Sequence, residues 1–177
     1  MNEFHCLLHQ KIERLFLILW PPHFEESWQD VDISLGLVLS ESPDCLYVVT
    51  TDDDAWTPCV REEALPCRFF PESEFERRVG SWMAGNELGY FEYEYYDFSE
   101  SEFFTAMVSH TIRGVELLAV DGDKEYFGVR LVFSGGYILS LPIGDGSTIE
   151  TSRFNRTNQL EVFKKLGMVT IERVESS

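Results

Sequence analysis

The 177-residue sequence has few cations, no CxxC pair and no long apolar run, and each shortage excludes something. Its 14 Lys+Arg stand against 31 Asp+Glu, a formal net charge of −17. A field of that sign repels phosphate backbones and anionic lipid, so neither nucleic acid nor membrane is expected as a direct partner. The longest apolar run, Leu15 to Trp20, is stopped by Pro21 and Pro22, far short of the roughly 20 residues that a membrane-spanning helix needs. The N-terminal stretch carries Glu3, His5, His9, Gln10, Lys11, Glu13 and Arg14, not the basic start and apolar stretch of a secretory signal. A cytoplasmic protein is therefore expected, with Cys6, Cys45, Cys59 and Cys67 as reduced core residues and the sequon Asn155-Arg156-Thr157 unused.

Catalytic motifs are missing as well. The sequence has no GxSxG elbow, no P-loop and no GxGxxG. His5 and His9 stand four apart, a spacing that would put both on one helix face, but Cys6, Leu7 and Leu8 lie between them, so HExxH fails. His23 and His110 lack an informative neighbour. The glycine-rich Ile143-Gly144-Asp145-Gly146-Ser147 reads as a turn between strands. No metal, no cofactor and no enzymatic activity are expected.

What is present is an asymmetry. Residues 1–100 carry 21 Asp+Glu against 6 Lys+Arg, net −15, whereas residues 101–177 carry 10 against 8, net −2. The same two segments share a faint internal match. At an offset of 92, Leu35-Gly36-Leu37-Val38-Leu39 falls on Phe127-Gly128-Val129-Arg130-Leu131. Without a gap, Cys45 to Val49 then falls on Tyr137 to Leu141, and Asp52-Asp53-Asp54 on Gly144-Asp145-Gly146. Upstream, Phe4, Leu7, Leu8, Ile12 and Leu17 match Phe104, Met107, Val108, Ile112 and Leu117. Strands are predicted over Ile12 to Leu19, Ile33 to Leu39, Leu46 to Thr51, Val115 to Val120, Phe127 to Phe133 and Tyr137 to Pro142. Ser134-Gly135-Gly136 supplies a hairpin turn. Helices are predicted through Phe75, Val79 and Trp82, ended by Gly85-Asn86, and through Leu160, Phe163 and Leu166 on one face, ended by Gly167. Extended runs follow, Gly89 to Phe98 and Met168 to Val174. The expected fold is α+β, mainly antiparallel sheet with a few helices: two α-β-β-β-α-β copies, 1–100 and 101–177, related by a pseudo-twofold and packed as a single domain.

A surface that diverges on a retained core marks an interaction surface, so the acids of the first copy supply the candidate residues. Asp52, Asp53 and Asp54 form the densest run; consecutive residues on a strand point alternately, so they do not converge on a cation, and they read as a solvated turn or a partner-binding loop. In Gly89 to Phe98, Tyr90, Glu92, Glu94 and Tyr96 would form an acidic, tyrosine-rimmed outer face, with Phe91, Tyr93 and Tyr95 turned to the core. The loop Pro21 to Asp32 sets Trp28 among Glu25, Glu26, Asp30 and Asp32.

In size, acidity and lack of catalytic motifs the chain is similar to bacterial immunity proteins. That resemblance implies a non-catalytic binding protein that neutralises a basic protein partner, such as a toxin nuclease, with Trp28, Asp52, Asp53, Asp54, Glu92 and Glu94 at the contact. Two alternatives remain: a nucleic-acid mimic that blocks a DNA-binding enzyme, and an enzyme or scaffold domain with an acidic cleft. The sequence leaves the oligomeric state open.

Overall fold

The leucine-rich and β-branched runs become strands, and there are more of them than the sequence patterns suggest. The computed structural model describes residues 3–22, 27–52, 54–86 and 92–175. The first half forms β1 (Ile12–Leu19), β2 (Ile33–Leu39), β3 (Ser42–Thr51), β4 (Pro58–Ala64), the short β5 (Phe70–Pro71), helix α1 (Phe75–Met83) and β6 (Glu94–Asp97). The second forms β7 (Gly114–Val120), β8 (Gly128–Val132), β9 (Tyr137–Ile143), β10 (Gly146–Glu150), helix α2 (Gln159–Leu166) and β11 (Val169–Arg173). The architecture is α+β. One sheet has the order β4-β3-β2-β1-β6-β5 and the other β10-β9-β8-β7-β11. Every pairing is antiparallel except that of β5 with β6.

The sheets pack on each other, β2 against β10 and β3 against β9. Their inner faces share one apolar cluster, to which the first half gives Leu15, Leu17, Leu35, Leu37 and Val49 and the second Val115, Leu117, Val129, Leu131 and Ile138. Aromatic rings close one side of it. Phe75 on α1 meets Tyr96 at 5.1 Å, Phe98 at 5.2 Å and Phe154 at 6.4 Å, and Phe154 also lies 5.7 Å from Phe104. All seven residues of β2 are buried, because a second cluster of Phe16, Ile18, Val38, Leu46 and Val48 covers its other side together with Leu65 and Tyr95.

Several expectations are corrected. Each half has four consecutive meander strands, not three; β4 and β10 are the additions. The helix through His5 and His9 is a 3-10 turn, Glu3–Leu7, which ends before His9, itself held at φ 66°; the two rings do not share a helix face. The opening helix expected of the second copy, around Phe104, Met107 and Val108, is a succession of turns over residues 102–109. In α2 only Leu160 and Phe163 rest on the sheet, whereas Leu166 is 70% exposed. The cysteines are free thiols, as expected, but only Cys45 packs against the core; it and Cys59 are half-buried, and Cys6 and Cys67 are exposed. The ungapped offset of 92 also fails beyond the second strand. Tyr47 and Val49 face the shared core, but Leu139 and Leu141 lie in the cluster on the far side of their sheet; a one-residue shift turns every side chain over.

The upstream offset of 100 meets a reciprocal geometry. His9 N donates to Ile112 O at 2.9 Å and Ser109 N to Ile12 O at 2.8 Å; Ile12 N donates to His110 O at 3.1 Å and Ile112 N to Gln10 O at 2.9 Å. A bridge joins Lys11 to Thr111. His9 and Ser109 both have left-handed backbone, φ 66° and 64°.

One ion pair ties β1 to β6: Arg14 Nη2 lies 2.7 Å from Asp97 Oδ2, and Ser99 N donates to Asp97 Oδ1 at 3.0 Å. Burial alone would raise the Asp97 carboxyl, but Ser99 and Arg14 hold it below the ordinary carboxylate range. A depressed folded value means stability that is present above the ordinary value and lost as pH falls through the folded one. Asp97→Asn is expected to flatten that acid limb and to cost on the order of 1 kcal/mol at neutral pH, Arg14 being partly in solvent; urea midpoints measured across a pH series check this.

Candidate functional site

The chain's turn chemistry brings two loops together at one end of the sandwich: the β3–β4 loop and the two-residue β9–β10 turn, Gly144-Asp145. Asp52 folds the first. Its Oδ1 accepts hydrogen bonds from Asp54 N at 3.1 Å and Ala55 N at 2.8 Å, the Asx-turn chemistry that aspartate favours. Asp52 N donates to Thr57 O and Trp56 N to Asp52 O, both at 2.8 Å. The loop presents Trp56 at φ 55° with 55% of its surface exposed. A notch of about 260 Å³ opens beside it, lined by Thr51, Asp52, Trp56 and residues 143–146.

A buried hydroxyl chain fixes the notch from below. Ser34 Oγ and Thr50 Oγ1 are 2.6 Å apart, Thr50 Oγ1 and Ser147 Oγ 2.8 Å, and Ser147 Oγ accepts from Thr51 N at 2.7 Å. Ser147 N donates to Asp32 Oδ1 at 2.9 Å. Gly146 is required here, since a Cβ would meet the Asp32 carboxylate at 2.4 Å. Satisfied buried polar groups of this kind hold two segments in one relative position.

The sequence candidates divide. Asp52 and Asp54 are exposed at this end, and Asp53 lies outside the described residues. Glu92 is exposed. Glu94 is turned inward: it pairs with Arg78 of α1 and accepts hydrogen bonds from the Tyr96 hydroxyl and, at 3.3 Å, from Trp82 Nε1. Burial together with Glu94 raises the Tyr96 hydroxyl. The faces of this strand are thus the reverse of the expectation. Tyr96 is fully buried, while Tyr93 is 47% exposed and lies 5.0 Å edge-on to Trp20; Tyr90 and Phe91 lie outside the described residues, as do His23, Glu25 and Glu26. Trp28 is not an exposed anchor: it packs 5.9 Å from Phe75, and the Arg156 guanidinium lies 4.9 Å over its ring. Trp56 and Asp145 were not singled out from the sequence. The signal for Trp56 was its place in a short polar stretch straight after the β-rich run Leu46 to Thr51 and the aspartates that end it.

Cations of the first half are engaged locally. Lys11, Arg14, Arg61, Arg77 and Arg78 each pair with an acid of the same half, and Arg68 lies 5.0 Å over Phe70. Asp30, Asp44, Asp52, Asp54, Glu62, Glu92 and Glu100 are exposed and form no ion pair among the described residues. Asp44 and Asp52 lie toward opposite ends of β3, about 27 Å apart at strand rise, so the acidity spans the first sheet. At the notch it meets the most exposed aromatic ring among the described residues, Trp56. No group of three or more His, Cys, Asp or Glu able to hold a metal exists among the described residues. No helix among them is long and apolar enough to cross a membrane. An indole face flanked by carboxylates has the chemistry to receive an ammonium or guanidinium group.

Compared with family models, curated proteins and solved structures, the chain matches none.

Proposed function

We propose that this protein is an acidic, non-catalytic binding protein that neutralises a basic protein partner in the cytoplasm, in the manner of an immunity protein, and that the Trp56 notch is the anchor point of the contact. The observation that carries the reading is the exposed indole held on a hydrogen-bonded loop beside Asp52 and Asp145, in a protein whose Asp30, Asp44, Asp54, Glu62, Glu92 and Glu100 are also exposed and form no ion pair among the described residues. The carboxylates steer a basic partner from a distance; the ring supplies short-range contact once it arrives. We further read the two halves as an internal duplication. The shared strand order β4-β3-β2-β1-β6 and β10-β9-β8-β7-β11 supports this, as do the reciprocal hydrogen bonds about Lys11 and Thr111. On that reading both copies kept the scaffold and only the first became acidic.

The test is capture of host proteins on the immobilised chain at low salt, washed stepwise. A single basic protein retained beyond about 0.5 M salt, where exposed charges are largely screened, is the expected result. A smear of cationic proteins eluting early would refute it. With that partner in hand, replacing Asp52, Asp53 and Asp54 together by Asn is expected to slow association several-fold and flatten its salt dependence with the unfolding midpoint unchanged. Stopped-flow mixing across a salt series reads this out, and an unaltered association rate would remove these residues from the site.

A further inference from the structure

The last strand of each half lies beside the first strand of its meander, but the two are finished differently. The outer edge of β6 is covered by β5, whereas β11 ends its sheet with no strand beside it among the described residues. The hydrogen-bond phase of β11 follows from its ends: Met168 O accepts from Asp121 N at 2.8 Å and Val174 N donates to Val115 O at 2.9 Å. Alternation along an antiparallel ladder therefore turns the N–H and C=O of Val169, Ile171 and Arg173 outward. An open edge of this kind is a template for another strand. Beside it stand apolar side chains left largely in solvent: Val162 and Leu166 on α2, Met168, and Ile171, exposed by 44, 70, 68 and 48%. Ile171 pairs directly with Leu118, which belongs to the cluster under Leu160 and Phe163 of α2, so its side chain and α2 share a face.

We propose that β11 pairs antiparallel with β11 of a second copy of this chain, joining two five-stranded sheets across a twofold axis. The edge is self-complementary. With Ile171 opposite its own counterpart, Val169 falls opposite Arg173 of the other copy, and every outward N–H and C=O in the five-residue strand gains a partner. The same operation places each copy's α2 on the same face of the joined sheet, next to the pairing line, where Leu166 and Ile171 extend the contact. An isologous surface of this kind closes at two copies. Charge favours this half for self-association: two chains of −17 repel, and the second half carries only −2, with Lys164, Lys165 and Arg173 at or near the edge.

Sedimentation velocity on the purified chain, from low micromolar to about 100 μM, tests the idea at low salt and at about 0.5 M salt. A dimer is expected, tightening as salt screens the like charges, the opposite of the salt response expected for the basic partner. Ile171→Pro removes the central outward donor without touching the β7 ladder. Leu166→Glu leaves the backbone unchanged and charges the contact. Each is expected to weaken dimerisation at least tenfold. A monomer at both salts and all concentrations, a dimer that salt weakens, or a dimer indifferent to both substitutions overturns the proposal.

Discussion

Phe154→Ala is expected to remove about 3–5 kcal/mol of unfolding free energy, the range for truncating a buried aromatic. Against a total of about 5–15 kcal/mol for a domain of ordinary stability, that is at least about a fifth. Phe154 lies in the turn after β10 and is 2% exposed. It touches Phe75, Phe98, Phe103 and Phe104, so the void would open where α1 and the two sheets meet. The substitution lies in the second half, yet all four tryptophans, Trp20, Trp28, Trp56 and Trp82, lie in the first. A core shared between the sheets requires that Trp fluorescence and far-UV circular dichroism shift to the same lower denaturant midpoint. Separate midpoints, with the fluorescence transition unmoved, would mean that the halves fold independently and that the shared cluster couples them little.

How much of this was legible follows from what decides each residue's place. The strands β1, β2, β7, β8 and β9 were readable because each is dense in leucine and β-branched residues. β10 was hidden by composition. Its five residues, Gly-Ser-Thr-Ile-Glu, are all buried, but four are small or polar, and Ser147 is satisfied by partners distant in sequence, Asp32 and Thr50. Glu150 is buried because its carboxylate takes the Gln159 N–H at the start of α2 and the Thr157 hydroxyl at 3.2 Å. β4 was hidden by charge: Arg61, Glu62 and Glu63 lie on a strand that ends the sheet, where polar residues are tolerated on both faces. Glu94 misled for the same reason in reverse. Alternation places Glu92, Glu94 and Tyr96 on one face, but which face turns inward depends on Arg78, sixteen residues upstream on α1, and no local pattern records that pairing. The site followed suit. Its carboxylates were evident as a run, whereas the notch exists only because the β9–β10 turn lies against the β3–β4 loop, a tertiary contact between segments about ninety residues apart.

Trp56→Gly is expected to leave the fold at least as stable while weakening partner binding by about 30-fold or more. The two effects separate because they have different origins. A tryptophan at φ 55° occupies the left-handed region, where a side chain costs roughly 1–2 kcal/mol relative to glycine, and more than half of its surface is in solvent, so little burial offsets that strain. Glycine relieves the strain at an entropic cost of similar size in the unfolded chain. The thermal midpoint should therefore stay level or rise slightly. Strained backbone is retained when the conformation is used, and here it holds the indole beside Asp52 and Asp145. Removing an interface tryptophan that acts as an anchor costs about 2 kcal/mol or more, which converts to the 30-fold figure. The loss should fall on the dissociation rate, because short-range contact sets residence time while the field of the remaining acids still sets the encounter rate. The aspartate substitutions should do the opposite, slowing association and sparing dissociation. Surface plasmon resonance of both variants against the salt-resistant partner separates these outcomes. If Trp56→Gly binds within twofold of the parent chain, the notch is not the anchor, and the partner is held by the acidic sheet alone.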